Sequence, residues 1–242
     1  MLSWTEGRTG NGKALVLSSG GVDSTTCVAM AVERFGEKNV STVSVFYGQK
    51  HSKELQCARA VAEYYHLKHY ELDLSPVMEY SDCSLLEHST KDIIHESYGE
   101  QLEKKGGSGI VETYVPFRNG LMMSSAAALA MSIYPDDTTH IYLGAHADDA
   151  AGNAYPDCSR EFSETMGKAI TLGTGGQVLV EAPLVNWNKA GVVKEGLRLK
   201  VPYELTWSCY EGGEKACGTC ATCIDRLAAF RANGVEDPIE YQ

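Results

Sequence analysis

A glycine pair between an apolar run and a helix-compatible stretch constrains this chain more than any other feature. Ala14-Leu15-Val16-Leu17-Ser18 is apolar and short enough for a buried strand, and residues 24–35 place Val28, Met30, Ala31 and Val32 as a helix would. Between them runs Ser19-Gly20-Gly21-Val22-Asp23-Ser24-Thr25-Thr26. Glycines let the backbone turn sharply and approach a ligand closely. A helix start presents unpaired N–H groups and the positive end of its dipole, which together bind anions. Ser and Thr hydroxyls add donors. No lysine closes the turn, so it is not the GxxxxGK[ST] loop that holds phosphates with a lysine.

The rest of the chain alternates strand and helix. Strands are expected at 14–18, 40–46, 69–74, 139–144 and 178–181, the second because Val-Ser-Thr-Val-Ser-Val-Phe alternates and is rich in β-branched residues. Helices are expected at 24–35, 52–65, 119–134, 159–170, 188–199 and 224–232, the third of these Ala- and Met-rich and buried. Repeated βα units imply a parallel sheet with helices on both faces and ligands beyond the carboxyl ends of the strands. Residues 75–112 break the rhythm. Lys104-Lys105-Gly106-Gly107-Ser108-Gly109 suits no regular element. That stretch reads as an insertion with a mobile loop, either a lid over the site or a surface excursion.

At 242 residues the chain can bury one good core plus a small appendage. Residues 1–13 are polar, carry Glu6, Arg8 and Lys13, and lack the apolar centre of a signal peptide. No stretch reaches the ~18 apolar residues of a membrane helix. The expectation is a cytoplasmic protein with no membrane partner. A net charge of −11 weighs against a nucleic-acid partner and favours a small-molecule substrate.

Four of the eight cysteines are gathered as Cys209-x7-Cys217-x2-Cys220-x2-Cys223. A Cys-x2-Cys turn aims two thiolates at one centre, and four satisfy tetrahedral Zn²⁺. Gly212, Gly213 and Gly218 free the ligand turns, and the last helix is expected to follow the final ligand. Zinc is the leading reading. A thioredoxin-like pair fits less well, an iron–sulfur cluster uses the same four thiolates, and unligated core cysteines are the plain alternative. Four thiolates leave no open coordination position, so such a site fixes fold.

The glycine turn resembles SGGxDS, the pyrophosphate loop (PP-loop) of the N-type ATP pyrophosphatases, which split ATP between its α- and β-phosphates. Further segments narrow the resemblance. Tyr47-Gly48-Gln49-Lys50-His51 with Glu54, Val115-Pro116-Phe117-Arg118-Asn119, Tyr155-Pro156-Asp157-Cys158 with Glu161-Phe162, Asn188-Lys189-Ala190, and Trp207-Ser208-Cys209-Tyr210 with the cysteines follow in order. Together they resemble the 7-cyano-7-deazaguanine synthases of queuosine biosynthesis over most of the chain. The resemblance implies an adenine nucleotide alpha hydrolase-like (Rossmann-like) α/β domain over 1–200 and a zinc-binding helical subdomain over 201–242. It implies that 7-carboxy-7-deazaguanine and ammonia become the nitrile at the expense of ATP, with adenylated intermediates, and that the chain is a homodimer. Two departures stand out: Phe117 where the family has Gly, and Asn153-Ala154 as an insertion before Tyr155. Both are expected to alter the pocket.

Carried onto this sequence, the resemblance implies nucleotide contacts from Ser18, Ser19, Gly20, Gly21, Val22, Asp23, Ser24, Thr25, Thr26, Cys27, Val28 and Tyr47. Asp23, beside polyphosphate, holds Mg²⁺ or orients the loop. Asp23, Ser24, Lys50 and Arg118 are the candidate catalytic groups. Arg118 clamps phosphate or substrate carboxylate, or else forms a surface ion pair; Lys50 and His51 meet phosphate or cap the next helix. Asn119, Asp149, Tyr155 and Asp157 are the candidate substrate contacts. The two carboxylates accept from a guanine-like N–H edge and the tyrosine stacks, or each is structural. His146 follows strand four without companion ligands and is not read as a metal residue. Cys27 reads as core packing, and Cys158 as packing or pocket wall. The competing functions are a tRNA-thiolating enzyme, disfavoured by charge, and a nucleotide-binding module without catalysis.

Overall fold

The computed structural model describes residues 12–242. The polar stretch read at the N-terminus therefore lies, up to residue 11, outside the described residues. Five strands, β1 (Lys13–Leu17), β2 (Val40–Phe46), β3 (Lys68–Asp73), β4 (Thr139–Tyr142) and β5 (Val178–Glu181), form one parallel sheet in the order β3-β2-β1-β4-β5. The helices are α1 (Val22–Phe35), α2 (Lys53–Tyr64), α3 (Ser75–Met78), α4 (Tyr98–Lys104), α5 (Arg118–Ile133), α6 (Ala147–Ala150), α7 (Arg160–Gly173), α8 (Lys189–Arg198) and α9 (Ala221–Ala232).

Strand alternation builds both faces of the sheet. Ala14 and Val16 pack with α1, α8 and α9 through Val28, Val192 and Phe230, while Leu15 and Leu17 pack with α5 and α7 through Met123, Ala126 and Ile170. Leu15, Val16, Val43 and Ile141 are fully buried. Each such side chain stabilises the fold by about 1.5–3 kcal/mol relative to exposure. Strand order reverses between β1 and β4, and open parallel sheets form their ligand crevice where that happens.

Three expectations need correction. Residues 75–112 are not merely irregular: they hold α3 and α4, bury Leu85, Leu86 and Gln101, and bridge back to Gln49 through Leu86. The stretch from residue 79 to 97 and the Gly106 to Gly109 turn after α4 stay irregular, the latter with φ of 80° at Gly106 and 89° at Gly107. Helix α5 is buried on one side rather than all round. Helix α9 begins at Ala221, with Cys220 as its N-cap, so Cys223 lies inside its first turn instead of before it.

Candidate active site

The crevice between β1 and β4 is built first from the glycine turn. Gly20 has φ 79°, and a Cβ there would lie 2.4 Å from the Glu54 carbonyl oxygen and 2.6 Å from the Ala58 nitrogen. Helix α2 therefore presses onto the turn, and only glycine fits. Gly21 is the N-cap of α1. The Ser24 hydroxyl donates to the Gly21 carbonyl (3.3 Å) and accepts from the Ser19 N–H (3.1 Å). Gly144, just past β4, comes so close that a Cβ would sit 3.1 Å from the Ser24 nitrogen. Ser18, Ser19, Gly21, Asp23 and Ser24 line the resulting cavity. The Ser18 hydroxyl is buried without a partner.

The later half of the predicted nucleotide contacts turns elsewhere. Val22, Cys27 and Val28 are core residues with no exposed surface, and the Thr25 hydroxyl is buried away from any partner. Thr26 is spent on the Val22 carbonyl and the Tyr203 hydroxyl, each at 2.8 Å. Helical periodicity explains this correction: a helix that packs one side on the sheet cannot aim successive residues at one ligand.

Charged groups meet on the β4 side. Lys189, at the start of α8, donates to Asp23 Oδ2 at 2.5 Å, and His146 Nε2 stands 3.3 Å from Asp149 Oδ2 and 3.8 Å from Asp23 Oδ1. Burial alone would raise the Asp23 carboxyl, but Lys189 and His146 outweigh it and hold it below the usual aspartate range. Burial dominates at Asp149, whose carboxyl is raised. Asp225, from α9, also lines the cavity and is raised by burial.

Arg118 opens α5. The Asn119 N–H donates to Asp157 Oδ2 at 2.9 Å, and the Asn119 side-chain amide donates to the Asp157 carbonyl and to Cys158 Sγ, both at 3.2 Å. Asp157 thus caps α5 from a distance and does not line the cavity, which is the structural alternative left open for it. Asn119 reaches the cavity but is tethered to it. Arg118 Nη1 donates to the Tyr47 hydroxyl at 3.1 Å, and both residues line the cavity. Among the described residues no carboxylate lies within ion-pair distance of Arg118, so the surface ion pair is replaced by a guanidinium facing the cavity. Burial pushes the Tyr47 phenol up to about 12.

The outer wall is aromatic. Tyr98 from α4, Tyr155 and Tyr210 all line the cavity. The Tyr98 and Tyr210 hydroxyls are 2.7 Å apart, the Tyr98 and Tyr155 rings meet edge-on at 5.5 Å, and the Tyr155 hydroxyl bonds to Thr113. Burial keeps all three phenols neutral by raising them. Cys158 is pocket wall.

Lys50 does not join this group. It is exposed, and its ammonium donates to the Lys91 carbonyl at 2.8 Å. His51 packs instead on Gly212, where a Cβ would lie 2.4 Å from its ring. Phe117 also stays out. Its backbone holds φ 53°, a conformation glycine adopts freely, and its half-exposed ring stacks edge-on against Phe162 at 5.7 Å. The Asn153-Ala154 step forms a turn on which the Gly106–Val111 region docks, through Gly109 N–H to the Gly152 carbonyl (2.9 Å) and Val111 N–H to the Ala154 carbonyl (3.4 Å). Neither departure reshapes the cavity directly.

Below the aromatic wall the four gathered cysteines place their sulfurs within 4.8 Å of one another. Backbone N–H groups of Cys217, Thr219 and Cys220 point at Cys209 or Cys217 sulfurs at 3.3–3.4 Å. Four convergent thiols with N–H donors behind them fit a tetrahedral metal. The centre is wired to the glycine turn: Trp207 N–H donates to the Gly20 carbonyl at 2.9 Å, and Lys53 lies 3.5 Å over the Trp207 ring.

The family model for queuosine biosynthesis protein QueC matches residues 13–234. The chain belongs to the QueC family. It is 42% identical to the 7-cyano-7-deazaguanine synthase of Thermoplasma acidophilum over 236 residues, covering 95% of this chain and 92% of that one. It is 41% identical to the enzyme of that name from Caldicellulosiruptor saccharolyticus, over 95% and 96%. Among solved structures, the NMN synthetase of Francisella tularensis is a looser likeness. Its TM-score is 0.48 at 13% identity, over 93% of this chain and 79% of that one, and nothing is built on it. Within this QueC-family chain, sequence reading missed His146, Asp225, Tyr98 and the part played by Lys189 and Glu54. The last two stood inside quoted motifs, which was the only signal for them.

Proposed function

We propose that this chain is an ATP-dependent carbon–nitrogen ligase that converts 7-carboxy-7-deazaguanine and ammonia to 7-cyano-7-deazaguanine. One observation carries the reading within its family: an anion cradle and an aromatic wall open into a single cavity, with one guanidinium facing it. A carboxylate is a poor electrophile, and AMP transfer to it creates a good leaving group. Ammonia then gives the amide, and a second adenylation lets the amide oxygen leave as AMP.

Each part of the chain has a task in that sequence. Ser18, Ser19, Gly21 and Ser24 supply hydroxyl and N–H donors for the charge that develops at the α-phosphate and the departing diphosphate. Arg118 gives a forked donor to a phosphate or carboxylate oxygen. Tyr98, Tyr155 and Tyr210 enclose a flat ring and exclude water, which would hydrolyse an adenylate. Asp149 accepts from the N–H edge of that ring. Asp23 Oδ1 is buried without a partner and is the oxygen that would hold Mg²⁺. Zn²⁺, held by Cys209, Cys217, Cys220 and Cys223, would supply structural cross-linking and no reaction chemistry. A cytoplasmic location, a homodimer, and a division into 1–200 and 201–242 belong to the same proposal.

The test is product analysis. Purified protein given 7-carboxy-7-deazaguanine, ATP and ammonium should yield the nitrile by mass spectrometry, with AMP and pyrophosphate and no tRNA. Release of ADP and orthophosphate instead would reject the reading.

A further inference from the structure

The proposed reaction leaves protons to dispose of, and the groups named so far do not take them. When ammonia attacks an acyl-adenylate, the new C–N bond carries an ammonium proton that must go before AMP leaves. Adenylation of the amide oxygen frees one N–H proton and leaves a neutral imidate, and when that imidate collapses the second N–H bond breaks as the C–O bond to AMP breaks and the triple bond forms. Each of these proton losses needs a base inside the cavity.

The acids already described belong to the β4 side or to α5, and Asp225 is offset there by the charges of Lys189 and His146. Asp23 is paired to Lys189, Asp157 caps α5, and Asp149 lies against His146. Glu54, in the first turn of α2, lines the same cavity as Ser19, Arg118 and Asp149. Among the described residues its carboxylate takes no hydrogen bond and no ion pair within 4 Å; burial raises it, and Arg118 is the one charge that offsets this. The groups that face it are Arg118 and the Tyr47 phenol, with Cys57 one turn on along α2. Its position is fixed, because its own carbonyl packs on Gly20 of the phosphate turn.

We infer that Glu54 is the proton acceptor for the incoming nitrogen, taking one proton as the amide forms and, in turn, the two that leave as the nitrile forms. This rests on the ligase reading of the cavity. Burial pushes the carboxyl up to about 7, so near neutrality it can accept a proton and pass it to solvent before the next step.

The test separates adenylation from nitrogen chemistry, using Glu54→Gln and Glu54→Asp. Without ammonium, wild type and E54Q should both release pyrophosphate from ATP in a burst that depends on the deazaguanine acid. With ammonium, nitrile formation by E54Q should fall about 100-fold or more. The wild-type rate, plotted against free ammonia, should drop as pH falls through about 7. E54D should keep such a bend and E54Q should lose it. An unchanged nitrile rate and bend in E54Q would overturn the inference, as would loss of its burst, which would make Glu54 a binding group. Failure of wild type to show any acid-dependent burst would instead overturn the ligase reading.

Discussion

Two acidic residues that line the same cavity have opposite pH behaviour, and the difference is testable by stability alone. Glu54 has a folded pKa of about 7 against an ordinary value of 4.5. Between those values the folded chain holds a proton that the unfolded chain has lost. Its stabilising contribution is therefore complete below 4.5 and disappears as pH rises through about 7. Glu54→Gln should raise stability at pH 8 by up to about 3 kcal/mol, with no gain at pH 4.5, in urea titrations. Asp23 is the reverse case. Its carboxyl is depressed, so its contribution is present above the ordinary value of 3.8 and lost as pH falls through its lower folded value. Lys189→Met strands that buried carboxylate and should cost about 3 kcal/mol at pH 7, a loss that shrinks under acid as Asp23 protonates. Neither behaviour was legible in the sequence. Lys189 lies 166 residues from Asp23, and nothing local marks the pair. Lys50 failed for a related reason. Its place after a strand end was visible, but the Lys50 N–H bond to the Leu85 carbonyl (3.0 Å) and the Lys50 ammonium's bond to the Lys91 carbonyl tie it to the insertion.

At the scale of the element, the start of α5 shows how one residue type is tolerated where another is expected. Phe117 in the left-handed region costs about 1–2 kcal/mol relative to glycine. Its ring passes over Gly120, where a Cβ would come within 2.4 Å of it. The two positions are therefore coupled. Gly120→Ala in the native chain should destabilise, because the ring must swing off Phe162. In a Phe117→Gly background the same change should stabilise by about 1 kcal/mol, the ordinary helix preference for Ala. A double-mutant cycle by thermal melting checks this, and the Phe117→Gly enzyme should keep its KM for the acid, since the ring lies outside the cavity. Elements themselves were readable where pattern was local. β2 and β5 match their expected bounds, β2 because β-branched alternation defines it. The start of α9 was misread because metal-ligand spacing and helix overlap there: Cys-x2-Cys hides the first turn of a helix capped by its own ligand.

For the molecule as a whole, the cysteine centre and the sheet core are not independent bodies. Ala229 and Phe230 of α9 sit in the core with Val22 and Val28 of α1, whereas Trp207, Cys209, Cys220 and Cys223 form a cluster of their own. The fully buried Arg226, bonded to Asp237 at 2.7 and 2.9 Å, links the two. Order near the thiols is thereby passed to the phosphate turn through Trp207 and Gly20, and to the cavity through Tyr210, Thr222 and Asp225. Removing metal from four clustered thiols also removes the cross-link that holds Cys209, Cys217, Cys220 and Cys223 together. Chelation should therefore do two things at once. It should lower the melting temperature, because metal binding to the folded chain is folding free energy. It should also weaken nucleotide binding although none of the four cysteines lines the cavity. Titrating a nucleotide into metal-depleted and reconstituted protein, while following the fluorescence of Trp207 against a Trp207→Phe control, reads both. A stable metal-free chain that binds nucleotide with unchanged affinity would show that the two halves are energetically separate, and the wiring through Trp207 would then be contact without consequence.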